Sequence, residues 1–215
     1  MANVREDDLP VGTTLVAGDF FRKVDDLAGT PQSEVISIEN VKAWINSFIA
    51  SQFVLANQGS GIASTTSGAT APSQAEMTTN KQNVNGWIFP AGSQKYIEVS
   101  HPFPSDYNGG TVTAKFYWTA NSTSTNSVVW GIQGRSYADN EAIDQAWGTA
   151  QEVTDANGSS VYTTRISSAT SAITLSGTPA ASELAQWRIY RLGSGSDNLA
   201  VSAILLAVVI TYTRA

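Results

Sequence analysis

The chain of 215 residues has no cysteine and one histidine, His101. Without cysteine, neither a disulfide nor a thiolate metal site can hold the fold. A Ser-His-Asp triad would have to be built around this histidine, and the sequence contains no Gly-x-Ser-x-Gly motif to supply its serine. We therefore interpret His101 as a turn residue, and we expect no enzyme activity, no cofactor and no metal.

Charged residues are also few, because Asp, Glu, Lys and Arg make up 14% of the chain and its net charge is −6. An ordinary globular protein has about 25% charged residues. A protein that binds a phosphate backbone needs clustered lysine and arginine, so we expect no nucleic-acid partner. A surface low in charge and rich in serine and threonine favours contact with other protein surfaces.

Long apolar runs are absent as well. The longest run, residues 203–210, is less than half of the ~20 residues that a membrane-spanning helix needs. Residues 1–8 lack the apolar segment of a secretory signal. We expect a soluble protein without membrane insertion.

Residues 111–133 show the clearest pattern in the chain, with apolar side chains at every second position on both sides of a polar bend at 121–127. This period of two is typical of strands with one face in a core. It predicts two antiparallel strands forming a hairpin. The inward residues are Val112, Ala114, Phe116, Trp118, Val128, Trp130 and Ile132.

Further strand-like segments follow at intervals of about 8–12 residues with turn residues between them, the pattern of a β-sandwich or jelly roll. We therefore predict a mainly β protein whose residues 81–215 form an antiparallel β-sandwich of the jelly-roll type. Within it, residues 137–148 are expected to form one short helix capped by Asp139 or Asn140, with Ile143 and Trp147 on one side.

An amphipathic helix is predicted after residue 37 in a small N-terminal α+β module. Ser37 is a suitable N-cap, and Val41, Trp44, Ile45 and Phe48 share one side at helical spacing. One helix cannot bury this side alone. It must pack on its own strands, on copies of itself or on a larger body.

A segment rich in glycine, serine and threonine separates this module from the β-rich part. Such a composition is typical of a linker. The sequence therefore predicts an N-terminal anchoring module at 1–55, a linker at 56–80 and a β-sandwich at 81–215.

The final strand is apolar on both faces, so one face can fill the core while the other needs a partner. Exposed rows of leucine and valine would promote aggregation. We expect a homo-oligomer in which this strand lies between subunits. The packing residues are predicted to be Leu205, Ala207 and Val209, or alternatively Leu206, Val208 and Ile210.

Two sets of residues leave other functions open. Asp139, Glu141 and Asp144 could hydrolyse a glycosidic bond or bind calcium, although a helix cap and a solvated face explain them more simply. Aromatic residues could form a sugar-stacking surface, although core and subunit contacts explain them more simply. These are Trp87, Tyr96, Phe103, Tyr107, Tyr117, Tyr137, Trp147, Tyr162 and Tyr190.

Two parts of the chain resemble bacteriophage virion proteins. Residues 9–24, Leu-Pro-Val-Gly-Thr-Thr-Leu-Val-Ala-Gly-Asp-Phe-Phe-Arg-Lys-Val, and 34–45, Glu-Val-Ile-Ser-Ile-Glu-Asn-Val-Lys-Ala-Trp-Ile, resemble the short module that opens many phage fibre and minor structural proteins. Segments such as 128–133, Val-Val-Trp-Gly-Ile-Gln, and 187–191, Trp-Arg-Ile-Tyr-Arg, resemble a jelly-roll domain of tailed-phage structural proteins.

The resemblance implies a virion structural component of fibre, spike or decoration type. Its N-terminal module would attach to other virion proteins of capsid, neck or tail, and its β body would be displayed as a homotrimer. A receptor-recognition module for host surface carbohydrate is the alternative that this resemblance leaves open.

Overall fold

A computed structural model describes residues 20–25, 32–37, 41, 45, 49–57 and 59–215. The chain divides into two units, Met1–Ile49 and Ala50–Ala215. In the first, strand β1 (Phe20–Asp25) pairs antiparallel with β2 (Gln32–Ser37). Val41 and Ile45 are helical. The predicted N-cap, Ser37, is instead the last residue of β2.

The regular structure of the second unit consists mostly of β-strands. They are β3 (Ala50–Asn57), β4 (Ile62–Ala63), β5 (Thr70–Glu76), β6 (Asn83–Phe89), β7 (Lys95–Pro102), β8 (Thr113–Ala120), β9 (Ser127–Tyr137), β10 (Gln151–Ala156), β11 (Arg165–Ile166), β12 (Leu184–Arg191) and β13 (Ala203–Thr213). In the part of the chain that the structure describes, no helix is long and apolar enough to cross a membrane.

These strands form two sheets whose strand pairs are antiparallel. The five-stranded sheet has the order β10-β9-β12-β7-β4, and the six-stranded sheet has the order β11-β8-β13-β6-β5 with β3 also beside β13. From β6 to β13 the chain passes from one sheet to the other at every connection except β9 to β10. This arrangement of eight strands is a jelly roll. The predicted β-sandwich is therefore confirmed.

The predicted hairpin at 111–133 is wrong in its pairing. Strand β8 pairs with β11 and β13, whereas β9 pairs with β10 and β12, so the two strands lie in opposite sheets. Alternation shows which face of a strand is apolar, but it does not identify the neighbouring strand. Their inward side chains meet across the sandwich, where the rings of Trp118 and Trp130 lie 6.1 Å apart at 64°.

The core lies between the two sheets and is rich in aromatic residues. Trp118 and Trp130 are both 0% exposed. The ring of Trp130 also contacts Phe89 at 5.1 Å and stacks on Phe116 at 5.7 Å. The inward residues predicted for both strands are all buried, so their predicted orientation is confirmed.

The predicted linker at 56–80 is instead part of the sandwich. Strand β5 pairs with β6, β4 pairs with β7, and Ser60 accepts a hydrogen bond at its carbonyl from Trp87 Nε1 at 2.8 Å. Edge strands are held by backbone hydrogen bonds and need few apolar side chains, so their composition resembles that of a linker. The division between the units falls after Ile49.

The helix predicted at 137–148 is absent. Tyr137 ends β9, and residues 138–150 form an irregular connection to β10. This connection makes its hydrogen bonds to the sandwich: Gly148 N donates to Gly134 O at 3.0 Å, and Tyr137 Oη donates to Ile143 O at 2.8 Å. Asn140 has a φ of 67°, which a helix does not accommodate. Tertiary contacts therefore override the helical spacing.

Candidate assembly surface

The final strand β13 faces the core with one side and solvent with the other, but a bulge changes which residues do so. Leu205 lies opposite Trp118, and Ala207 lies opposite the next residue, Tyr117, so Leu206 is the additional residue in β13. A bulge of this kind reverses the alternation after it. Neither of the two predicted alternating sets is therefore correct as a whole.

Three of the six residues predicted for the subunit interface lie in the chain's own core. Leu205, Val208 and Ile210 are buried between the sheets. The other three, Leu206, Ala207 and Val209, are half-buried on the outer side of the six-stranded sheet. Only these three remain available for contact with another molecule.

Neighbouring strands extend this outer side with further apolar residues. Val54 of β3 lies opposite Val209 and is 51% exposed, while Ile166 of β11 lies opposite Tyr117 and is 53% exposed. Tyr117 is half-buried and lies opposite Ala207. We call the six residues Val54, Tyr117, Ile166, Leu206, Ala207 and Val209 the assembly face.

The assembly face is not flat. A depression of about 440 Å³ lies on this side of the sheet and is lined by Asn57, Tyr117, Thr164, Leu206 and Ala207. Lys115 lies opposite Val209 on β8. Apolar rows around a depression are typical of a surface that receives a complementary side chain.

The predicted anchoring residues are described only in part. Val41 is half-buried, and Ile45 is exposed. Trp44 and Phe48 lie outside the described residues. Their role in anchoring stays a prediction.

The carboxylates considered for hydrolysis lie in the 138–150 connection and not on a helix, so their interpretation as a helix cap is wrong. Asp139 and Glu141, but not Asp144, line a cleft of about 520 Å³. Glu141 Oε2 is 3.7 Å from Arg135 Nη2, and Asp139 Oδ2 accepts a hydrogen bond from Asn140 at 3.1 Å. Among the described residues, no group of three or more His, Cys, Asp or Glu side chains could hold a metal.

His101 lies in β7, one residue before its end, and not in a turn as predicted. Its ring stacks on Phe53 with centroids 4.6 Å apart, and its Nδ1 is 2.6 Å from Pro102 O. The histidine thus joins β7 to β3 by packing.

A polar contact that the sequence does not reveal lies near the end of β13. Asp106 accepts a hydrogen bond from Tyr212 Oη at 2.8 Å and lies 2.7 Å from Arg214 Nε. The hydrogen bond from Tyr212 is the main cause of a lowered pKa of Asp106, with the charge of Arg214 adding to it against the opposing effect of desolvation. A carboxylate with a lowered pKa stabilises the fold in its ionised form.

Acid should weaken this contact. The folded state favours ionised Asp106, so its contribution is present above the unfolded pKa near 3.8 and is lost as the pH falls through the lower folded value. We expect Asp106→Asn to melt at a lower temperature than the parent at neutral pH. The difference in melting temperature between the two proteins should narrow below pH 3.8. Circular dichroism at a series of pH values measures it. A difference that does not change with pH would contradict this assignment.

No protein-family model and no curated protein matches the chain. Among solved structures, an infectious bursal disease virus (Gx strain) structure matches at TM-score 0.37 and 12% identity, over 96% of this chain and 40% of that one. The family 11 carbohydrate-binding module of Clostridium thermocellum, in complex with a mixed-linked tetrasaccharide, matches at TM-score 0.37 and 10% identity, over 74% of this chain and 94% of that one.

The enzymatically active domain of tailspike protein 4 from bacteriophage CBA120 matches at TM-score 0.31 and 10% identity, over 77% of this chain and 19% of that one. This chain thus spans less than half the length of the viral chain and about a fifth of the length of the tailspike chain.

Proposed function

We propose that the chain is a structural component of a tailed-phage virion, a non-enzymatic fibre, spike or decoration protein that assembles as a homotrimer. The observation that carries the proposal is the assembly face. A jelly roll of this size has a complete core between its sheets, so an additional apolar surface on the outside of one sheet is not needed for folding.

The partner most favoured to cover this surface is a second copy of the chain. Apolar contact contributes about 25 cal/mol per Å². Oligomers of identical subunits bury their more apolar patches against one another. The low charge of the chain fits this arrangement, because charged residues are depleted at the centre of such interfaces. The resemblance to phage structural proteins supports three copies.

Attachment to the particle is proposed to occur through the first unit. Val41, Trp44, Ile45 and Phe48 would bury their apolar side against other virion proteins of capsid, neck or tail. The helical state of Val41 and Ile45, four residues apart, supports one shared side.

The direct test of this location is to label particles. Phage particles from the source of the gene should carry the chain, and an antibody against its 50–215 unit should label them at fixed positions in electron micrographs. The same antibody absorbed with purified chain is the control. Particles that lack the chain after gradient purification would contradict the proposal.

A further inference from the structure

The outer face of the five-stranded sheet carries aromatic, polar and charged side chains, whereas the assembly face is mainly apolar. The register of β7, β9 and β12 places Tyr190 beside Tyr96 on one side and Gly131 on the other. Gly131 has no room for a Cβ, because the Tyr190 ring lies directly on its backbone. The two tyrosine rings have their centroids 5.5 Å apart. A glycine in the middle of a long strand here admits an aromatic ring.

A hydrogen bond fixes the Tyr190 ring in position. Tyr190 Oη donates to Glu152 Oε1 at 2.7 Å. Burial, and secondarily this hydrogen bond, raises the pKa of Tyr190 above its ordinary value, which already lies well above neutral pH. Tyr190 is therefore held in place, and the Tyr96 ring packs against it.

The next row of the same face contains a planar charged group between two aromatic rings. The guanidinium of Arg188 lies 5.3 Å from the centre of the Tyr96 ring and 4.7 Å from that of Trp147. Its Nε and Nη2 donate to Glu98 Oε1 at 3.0 and 2.8 Å. Contact with an aromatic ring and with a carboxylate orients the guanidinium and offsets its charge.

Trp147 reaches this face because the 138–150 connection is tied down on both sides of it. The carbonyl of Ala146 accepts from Ser176 Oγ at 2.6 Å and Arg135 Nη1 at 3.4 Å, and Gly148 N donates to Gly134 O. Trp147 is half-buried and does not belong to the hydrophobic core. The fold thus holds a large aromatic ring outside its core.

These groups together match the chemistry of a saccharide. Aromatic rings pack against the apolar faces of sugar rings, and oriented planar side chains exchange hydrogen bonds with hydroxyl groups. Gln133 and Gln186, both half-buried, lie on the neighbouring positions of β9 and β12 and add amide donors and acceptors. The pairing of Arg188 with Glu98 favours a neutral ligand over a charged one.

We propose that this face, formed by Tyr96, Glu98, Gln133, Trp147, Gln186 and Arg188, binds a neutral oligosaccharide. The site goes beyond the proposed structural function. It lies on the sheet opposite the assembly face, so assembly through that face leaves it open. Rigid side chains lose little entropy when a ligand binds, which favours affinity.

The test is binding of the full chain to an array of neutral and anionic bacterial surface polysaccharides. We expect the parent chain to bind neutral glycans. Trp147→Ala should weaken that binding about tenfold or more, equivalent to about 1.4 kcal/mol. Arg188→Lys keeps the charge but loses the planar group, and it should also weaken binding. Tyr162→Ala removes a half-buried aromatic ring from another part of the surface and should not change binding.

Three outcomes would overturn the proposed site. These outcomes are binding to no glycan, binding to anionic glycans alone, and binding that neither Trp147→Ala nor Arg188→Lys affects. Circular dichroism of each variant checks that it is folded. The mass of the Trp147→Ala oligomer should equal that of the parent, so failure of the glycan site and failure of the assembly face are distinguishable.

Discussion

Replacing Asp197 with alanine should lower the free energy of unfolding by about 3–5 kcal/mol. Asp197 pairs with Arg191, and both side chains are 0% exposed. Arg191 Nη2 and Nε donate to the two oxygens of this carboxylate at 2.7 and 2.9 Å. Removal of the carboxylate would leave a buried positive charge without a partner.

The pair holds several segments together. Arg191 Nη1 donates to Phe89 O at 3.0 Å and to Val201 O at 2.7 Å, and Asp197 accepts from Gly193 N at 3.0 Å. These contacts connect the turn between β12 and β13 with the end of β6. The variant should therefore loosen this end of the sandwich as well as lower its stability.

Urea unfolding followed by tryptophan fluorescence measures the effect. Glu76→Ala is the matched control, because Glu76 pairs with Lys81 at 3.4 Å and both side chains are mostly exposed. An exposed pair of this kind contributes about 0–1 kcal/mol. If Asp197→Ala cost no more than the control, Arg191 would have another way to satisfy its charge, and the account of the buried pair would be wrong.

Replacing Val209 with glutamate should separate the subunits without unfolding them. Val209 is half-buried on the assembly face, opposite Val54. In the proposed trimer, the new carboxylate would lose its contact with water, and pairing with Lys115, which lies opposite Val209, offsets only part of that cost. We expect association to weaken about a hundredfold or more, equivalent to about 2.7 kcal/mol, measured by light scattering over a range of concentrations.

Thr154→Glu is the control for this variant. Thr154 is exposed on β10, in the other sheet, and receives the same added charge. It should leave the mass in solution unchanged. Equal masses for the parent and Val209→Glu, with both proteins folded, would exclude this face as the interface.

The sequence identifies the sandwich because alternation in a strand records the boundary between core and surroundings. It predicts that Phe116, Trp118 and Trp130 face inward, and all three are fully buried. It does not predict that β8 and β9 lie in different sheets, because the polar bend at 121–127 is compatible with a hairpin and with a crossing between sheets. Pairing depends on long-range contacts that local pattern does not contain.

The two surfaces depend on details of backbone geometry to different extents. The apolar outer side of β13 is predictable, but the bulge at Leu206 decides that Val209 faces outward and Val208 inward. For the opposite face, Tyr96 and Trp147 are recognisable as candidates by residue type alone. Their assembly around Arg188 requires the register of β7 with β12 and the irregular 138–150 connection, which was expected to be a helix.

Assembly through the outer side of β13 is tested most directly by the mass of the full chain in solution, measured by multi-angle light scattering. We expect a mass three times that of the 22.8 kDa chain, and in Val209→Glu we expect this mass to fall toward that of one chain. A parent chain that stays monomeric at every concentration would contradict assembly through the outer side of β13.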